Sequence, residues 1–474
     1  MGAVTVKDFG RAHFGKARLG DTRRTARLVK AADQIACHPG GTLPQKLSGP
    51  ADLKALYRLV ARPEVTHQAV LATHRERTLR LMREHPGVAL TVHDATQLDY
   101  TTRRSLRDPG QIAKGHHRGY LCHNTLAVDA ATGVVIGLAG QTLHKRARVA
   151  RKEPLKRRRE RADRETRPWK AGSEAVGPAP PGRTWVDVCD RGADVFEYLG
   201  HKHATGGLYV VRSKHNRNVG ACGELCKLHA HARSLPDLGA MAVSVTARPA
   251  KPGVAARKAR EAVVRVAAGP VTLPAPLSRA GDHGDGPLSC RVVHVKEPQP
   301  PAGEKPLEWV LLTGVPTESF GQAKERAGWY ARRPVIEEYH KASGPGDRPR
   351  AGQKTGCGVE LPQLTEEARL QPVIALLSVV AVLLLNLRDA ARSPEARQRP
   401  AGELAPAEYV RVLSGWRWQG PGRPTTAGEF LLAVARLGGH LNRKADGAPG
   451  WLTIWRGWSK LHHMVLGARA VRAP

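Results

Sequence analysis

The sequence predicts a mixed α/β protein whose sheet-forming central part lies between helical regions at both ends of the chain. Helix-type spacing of apolar residues extends from the start to about residue 84, and short β-rich runs separated by Gly and Pro follow from Gly87 to about residue 315. Helical patterns then continue to the C-terminus. A chain of 474 residues corresponds to roughly two to four domains.

The charge of the chain favours a polyanionic partner. Lys and Arg number 75 against 42 Asp and Glu, which gives a net charge of +33. Such an excess is typical of proteins that bind nucleic acid and argues against a metabolic enzyme with a neutral surface. The start lacks the apolar core of a signal peptide, and the longest apolar stretch, Val373–Leu385, is too short for an ordinary membrane span. We therefore expect a cytoplasmic protein in which this stretch is a buried helix.

The first clear helix is predicted after Asp21, whose carboxylate suits the N-cap position. Its apolar residues form one stripe, made of Leu28, Val29, Ala32 and Ile35. Its basic residues form another, made of Arg23, Arg27 and Lys30, with Arg24 beside it. An apolar stripe opposite a basic one is typical of a helix that packs on its domain and faces DNA phosphates. The alternative is a basic face in contact with solvent alone.

Three acidic residues stand out because of where they lie. Asp94 ends the run GVALTVHD, Asp190 ends TWVDVCD, and Glu337 lies in the helical stretch WYARRPVIEEYHKA. Carboxylates from two strand ends and a helix can share two Mg²⁺ ions, which prefer oxygen ligands. Two such ions can activate a nucleophilic oxygen and stabilise the leaving oxygen of a phosphodiester. For each acid taken alone, a strand-end cap or a surface ion pair is the alternative.

Eight stretches spread over nearly the whole chain carry a resemblance to a known family. They are LGDTRRTARLV, HDATQLDY, VCDRGADVFEYL, YVVRSKH, PLEWVLLT, YARRPVIEEYHKA, KTGCGVE and VARLGGHLNRKADGAPGWLTIWRGW. In this order they make the chain resemble the DDE transposases of bacterial insertion sequences, most closely the transposon-five type of the insertion-sequence-four family. The resemblance implies a ribonuclease H-like catalytic core, residues 85–205 and 316–395, interrupted by a β-rich insertion, 206–315. It also implies a helical DNA-binding region, 1–84, and a helical dimerisation region, 396–474.

The resemblance also assigns roles to the acids and their neighbours. Asp94, Asp190 and Glu337 match the triad that holds the metal ions, Mg²⁺ with Mn²⁺ able to substitute. The family's Tyr-Arg-Glu-Lys signature matches Tyr330 and Arg333, seven and four residues before Glu337. On one continuous helix these residues would share a face, so the acid and its phosphate-binding neighbours would meet the same DNA.

The signature Lys is displaced in this chain. It should lie seven residues after the acid, where Gly344 stands, and Lys354 reaches that spacing only if the ten residues Ser343–Gly352 are removed. This insertion is rich in Gly and Pro, so we expect it to end the helix or to bulge out of it. Lys341 continues the predicted helix face and could replace Lys354 in part.

Three further residues match the family's DNA contacts. Trp309 matches a Trp that borders the pocket for a flipped base, with a core Trp as the alternative. Arg212 and Lys214 match basic residues near the DNA end.

The resemblance implies cut-and-paste transposition through a DNA hairpin. The enzyme would act as a homodimer that binds transposon ends and target DNA, and it would be cytoplasmic, on the bacterial nucleoid. Two alternatives stay open: an impaired transposase remnant that still binds DNA, and a ribonuclease H-like nuclease without strand transfer.

Overall fold

Parallel and antiparallel strands join in one twelve-stranded mixed sheet at the centre of the molecule. The computed structural model describes residues 6, 8–112, 116–146, 167–221, 223–245, 247, 250, 256–276, 286–340, 356–443 and 446–472. The strands are β1 (Val88–Asp99), β2 (Gly110–Gln111), β3 (Arg118–Asp129), β4 (Val135–His144), β5 (Thr184–Cys189), β6 (Leu208–Arg212), β7 (Asn218–Ala221), β8 (Glu224–Lys227), β9 (Gly239–Val245), β10 (Arg260–Leu273), β11 (Leu288–Lys296) and β12 (Glu308–Thr313). Their order is β2-β3-β1-β5-β6-β12-β11-β10-β7-β8, with β4 paired to β3 and β9 to β10.

Along the sequence, helices precede the strands, alternate with some of them and follow the last one. Before it lie α1 (Phe9–Phe14), α2 (Thr22–Cys37), α3 (Leu43–Lys46), α4 (Pro50–Val60) and α5 (His67–Glu84). Among the strands lie α6 (Arg167–Val176), α7 (Phe196–Ala204) and α8 (Leu228–Ser234). After it lie α9 (Phe320–Ala331), α10 (Pro334–His340), α11 (Glu367–Arg392), α12 (Pro394–Gln398), α13 (Ala401–Leu404), α14 (Ala407–Trp418), α15 (Ala427–Leu437) and α16 (Trp451–Arg472). The predicted mixed α/β class with helical ends is confirmed.

Local sequence patterns account for several of these elements. Asp21 caps α2, because its carboxylate accepts a hydrogen bond of 2.8 Å from the backbone N–H of Arg23. Leu28, Ala32 and Ile35 on that helix are buried, as the apolar stripe predicts. In the turn between β3 and β4, Gly133 takes the left-handed conformation at φ 76°, which glycine adopts without strain.

The centre of the core is helix α11, which contains the apolar stretch Val373–Leu385. By length and composition this helix could cross a membrane, but 94% of its most apolar window is buried inside the protein. It packs against α2, α4 and α5 from the N-terminal region, against β4, and against α15 and α16. The prediction of a buried helix is confirmed, and the helix joins both helical ends of the chain to the sheet.

The region predicted as a β-rich insertion extends the central sheet. Strand β6 pairs in parallel with β5, and β12 pairs antiparallel with β6, where Leu311 faces Arg212. The β-rich character of residues 206–315 is therefore present, but these strands are hydrogen-bonded continuously to the rest of the sheet. The domain boundaries drawn from the sequence stay predictions.

Candidate active site

Asp94 and Asp190 lie at the same height along two neighbouring parallel strands, β1 and β5. The parallel pairing of β1 with β5 ends at His93 opposite Cys189, and each acid is the next residue. Asp190 follows its strand, as predicted. Asp94 does not end its strand, because β1 stays paired to β3 as far as Asp99. The antiparallel partner, which the local sequence cannot reveal, keeps this strand extended past the acid.

Each of these two acids is oriented by a backbone hydrogen bond. The Asp190 carboxylate accepts from the N–H of Gly192 at 2.7 Å and caps the short 3₁₀ turn Arg191–Ala193. The Asp94 carboxylate accepts from the N–H of Ala95 at 2.8 Å, and its side chain is only 17% exposed. These bonds leave oxygen lone pairs on both carboxylates for further partners.

The sequence predicts that the residues of the signature motif lie on one helix. The structure shows that they do not. Tyr330 lies at the end of α9, Arg333 lies in the junction after it, and Glu337 lies in α10. The reason is Pro334, which has no N–H for a continuing helix and suits the first position of a new one. The three side chains therefore approach one another around a corner of the chain.

Arg333 is the group that joins the acids. Its Nη1 lies 3.4 Å from Oδ2 of Asp94, and its Nη2 pairs with Oε1 of Glu337. Burial alone would lower the pKa of Arg333, but Tyr330, Glu337, Asp94 and Asp190 together raise it. The guanidinium thus contacts Asp94 and Glu337, and the charge of Asp190 also acts on it.

The charges of the acids also affect one another. The pKa of Asp94 is raised to about 7, mainly by burial and next by the nearby charge of Asp190, whereas Arg333 opposes the rise. Burial and a second carboxylate nearby both raise a carboxyl pKa, and perturbed pKa values of this kind cluster at functional sites. The structure therefore brings Asp94 and Asp190 into electrostatic contact.

The donor chemistry suits a hard divalent cation, but the side chains as they stand do not form a metal centre. Asp94 and Asp190 supply carboxylate oxygens from adjacent strands, which are the ligands that Mg²⁺ and Mn²⁺ prefer. Glu337 is 45% exposed and is engaged by Arg333. Among the residues that the structure describes, no group of three or more His, Cys, Asp or Glu is arranged to hold a metal ion. The roles of the three acids as metal ligands stay a prediction.

One neighbour of the site was missed by the sequence analysis. Nδ1 of His340 lies 3.9 Å from Oδ2 of Asp94, and its Nε2 lies 2.8 Å from the amide nitrogen of Asn124. Gln141 in turn donates to Asn124 at 2.7 Å. His340, Asn124 and Gln141 thus form a buried network of polar side chains that contacts Asp94 through His340. His340 stands in the motif YHKA, but only the fold reveals its partner on β3.

The predicted DNA contacts Trp309, Tyr330 and Arg212 lie together. The rings of Trp309 and Tyr330 meet edge to face with centroids 5.1 Å apart, and the charge of Arg212 opposes the rise that burial causes in the pKa of Tyr330. A cavity of about 670 Å³ opens beside them. Its lining includes Arg191, Arg212, Arg257, Arg260, Lys305 and Trp309. Trp309 is only 8% exposed, so it serves the core and borders the cavity at once. Arg191 directly follows Asp190 and links the cavity to the acids.

The remaining predicted contacts divide into exposed and internally paired residues. Lys214 and Arg27 are exposed, and Arg23 is exposed beside its partner Asp21. Lys30 forms an ion pair of 2.6 Å with Asp52 but stays largely exposed.

Arg24 departs from the prediction of a DNA contact in one respect. It donates to the carbonyl of Leu19 at 2.9 Å and pairs with Glu64 at 3.0 Å, so it also ties α2 to its surroundings. Lys341, Lys354 and the insertion Ser343–Gly352 lie outside the described residues.

Comparison with known protein families supplies the identity of the N-terminal region. A family model described as Transposase DNA-binding matches residues 7–65. This range holds α1 to α4 and all the basic residues predicted on α2. The chain therefore binds DNA through a transposase DNA-binding region at its N-terminus.

Proposed function

We propose that this chain is a DDE transposase of the transposon-five type, which cuts and joins DNA at transposon ends with Mg²⁺, or with Mn²⁺ in its place. The observation that carries the proposal is the position of Asp94 and Asp190 directly after the parallel pairing of two adjacent strands, with Arg333 between Asp94 and Glu337 and a cavity lined by Trp309 and arginines nearby. The transposase DNA-binding match over residues 7–65 supports DNA as the substrate.

The proposed core is ribonuclease H-like. The mixed sheet supports this fold, because β1 pairs antiparallel with β3 and parallel with β5, and the two acids follow that parallel pairing. The divalent ions would activate the attacking water or 3′-hydroxyl and stabilise the leaving oxygen. In the proposal these ions are bound by the two strand acids and by Glu337.

The protein's own residues would hold and shape the DNA. Arg333 presents a planar fork of N–H groups that suits a phosphate, and Tyr330 lies directly beside it. The indole of Trp309 offers a surface on which a flipped base can stack, with the arginines of the cavity around its phosphates. The lysines and arginines of α2 and the high net charge would bind the duplex along its backbone.

The proposed reaction has four phosphoryl transfers. Water cuts one strand at the transposon end, and the freed 3′-hydroxyl attacks the opposite strand to form a hairpin. A second water opens the hairpin, and the 3′-hydroxyl then attacks target DNA. Since every step is an attack of an oxygen on a phosphodiester, one site can serve all of them. We place the reaction in a homodimer on DNA in the bacterial cytoplasm, without a membrane.

The test uses the full chain and duplexes taken from the DNA that borders its reading frame. With Mg²⁺ we expect strand cleavage, hairpin products and joining to a target plasmid. The variant Asp190→Asn should lose all three products, and Asp237→Asn, which changes an exposed acid in the connection between α8 and β9, should keep them. Binding without cleavage by the natural chain would contradict the proposal, and cleavage without joining would indicate a nuclease.

A second candidate is an impaired transposase that still binds DNA, and the inserted residues Ser343–Gly352 favour it. This segment separates Glu337 from the signature Lys354 in the sequence. A chain that lacks Ser343–Gly352 separates the two candidates. Equal cleavage by both chains would mean that the insertion is harmless, and cleavage by the shortened chain alone would identify the natural chain as an impaired remnant.

A further inference from the structure

The guanidinium of Arg333 lies between the carboxylates of Asp94 and Glu337, two of the predicted metal ligands. Its two terminal nitrogens engage different acids, Nη1 with Asp94 at 3.4 Å and Nη2 with Glu337. The guanidinium is only 14% exposed, whereas Glu337, at 45%, faces the open side of the site. Arg333 therefore neutralises the carboxylates from inside the site.

We infer that Arg333 closes the metal site in the absence of DNA and opens it when its guanidinium moves to a DNA phosphate. This inference rests on the proposed function and adds a form of regulation to it. Without DNA, Glu337 is held by Arg333 and is not a metal ligand. With DNA bound, the phosphate replaces the carboxylates as the partner of Arg333, and Glu337 becomes free to join Asp94 and Asp190.

The chemistry of the arginine supports an exchange of partners. A guanidinium keeps its charge at any physiological pH, so Arg333 cannot be neutralised to make room for a divalent ion. A metal ion and a guanidinium between the same carboxylates would repel each other. A phosphate oxygen pair accepts the same two-pronged hydrogen bonding as a carboxylate, so DNA offers Arg333 an equivalent partner.

A consequence follows from thermodynamic linkage. If DNA raises the affinity for the metal ion by removing Arg333 from the acids, the metal ion must raise the affinity for DNA by the same factor. The protein would then bind its ions firmly only at a DNA end. Metal-dependent chemistry in the absence of substrate would be suppressed by the same contact.

The adjacent arginine provides a matched control. Arg332 carries the same charge one position earlier, but its guanidinium donates to the backbone carbonyl of Ala131 at 2.6 Å. Replacing Arg332 by Gln removes one positive charge close to the site without freeing Glu337. Replacing Arg333 by Gln removes one charge and frees Glu337.

The experiment measures Mn²⁺ binding to the full chain by electron paramagnetic resonance of the free ion. Without DNA, Arg333→Gln should bind Mn²⁺ about tenfold or more tightly than the natural chain, a typical coupling between two sites. Arg332→Gln should change the affinity by about twofold or less, because charge beyond the site is screened by salt. Adding a duplex from the DNA that borders the reading frame should tighten Mn²⁺ binding by the natural chain and much less by Arg333→Gln.

A second substitution tests the role of Glu337. Glu337→Gln should leave Mn²⁺ binding by the DNA-free natural chain unchanged and should weaken it in the Arg333→Gln background. If Arg333→Gln does not fold, as judged by circular dichroism, Arg333→Met replaces it. Met also removes the charge and the pairing with Glu337 while keeping an unbranched side chain, so it should likewise tighten Mn²⁺ binding relative to the natural chain.

Two results would overturn the inference. One is an equal gain in Mn²⁺ affinity for Arg332→Gln and Arg333→Gln, since charge alone would then explain it. The other is a DNA-free natural chain that loses Mn²⁺ affinity with Glu337→Gln. Either result leaves the proposed function intact if the natural chain cleaves DNA with Mg²⁺. Absence of both cleavage and Mn²⁺ binding in the presence of DNA would instead reject the proposed function.

Discussion

Two aspartates three residues apart, Asp187 within β5 and Asp190 just after it, have opposite surroundings. Asp187 is only 5% exposed, and its carboxylate accepts hydrogen bonds from several side chains. The donors are Thr91 at 2.5 Å and Ser173, Tyr198 and Lys202 at 2.8 Å each. Asp190 is half-buried and accepts a backbone bond from Gly192. The difference separates an acid that holds the fold together from one that can take a new partner.

The pKa shifts follow the same division. Burial opposes the charge of Asp187, but Lys202 and His93 outweigh it and hold the pKa of Asp187 well below its usual range. For Asp94, on the neighbouring strand, burial and the charge of Asp190 act together and raise the pKa to about 7. A fully partnered carboxylate gains little from a further cation, whereas a poorly compensated one gains much.

The largest expected effect is on stability and concerns Asp187. Asp187→Asn leaves the buried ammonium of Lys202 without its counter-ion, and loss of one partner of a buried ion pair costs about 3–5 kcal/mol. Urea unfolding followed by circular dichroism measures the loss. Asp190→Asn should stay within about 0.5 kcal/mol of the natural chain, because Asn also caps well and the site is partly exposed. Equal stabilities for the two variants would remove the distinction between the acids.

The stability difference between the natural chain and Asp187→Asn should depend on pH. A carboxyl whose pKa is lowered by folding stabilises the protein above its unfolded pKa of about 3.9 and loses that contribution as the pH falls toward the folded value. The pKa of Asp187 is lowered, so the advantage of the natural chain should be full near neutral pH and shrink below about pH 4. Urea midpoints of both proteins across this range check it. An advantage that grows on acidification would contradict the direction of the shift.

Next in size is the effect of Asp190 on the proposed reaction. Asp190→Asn should lower Mg²⁺-dependent cleavage at least about 10²-fold, since changes even in the residues behind metal ligands cost about 10–100-fold. Its urea midpoint and its DNA affinity at moderate salt should stay close to those of the natural chain. Cleavage at the natural rate would show that Asp190, despite its open carboxylate, is no more catalytic than Asp187.

The comparison also shows which features the sequence could predict. The cap at Asp21 and the position of Asp190 after its strand follow from a few neighbouring residues. The extension of β1 past Asp94 depends on β3, and the partners of Asp187 come from β1 and from the helices α6 and α7, so neither could be predicted from adjacent residues. The break at Pro334 was visible in the sequence, but the spacing of the signature motif suggested one helix. Only the folded chain brings Arg333 between the acids.

The smallest expected effect concerns a single donor to Asp187. The hydroxyl of Tyr198 donates to the Asp187 carboxylate at 2.8 Å, and the ring is fully buried. Tyr198→Phe keeps the ring and leaves the bonds from Lys202, Ser173 and Thr91 in place, so it should cost about 1–2 kcal/mol, less than the loss of the charge itself. In the Asp187→Asn background the cost of Tyr198→Phe should change by at least about 0.5 kcal/mol, because residues in one hydrogen-bond network are coupled. A double-mutant cycle of urea midpoints measures that coupling. Strict additivity would mean that the Tyr198 hydroxyl contributes independently of Asp187 and that Asp187 depends on its other donors.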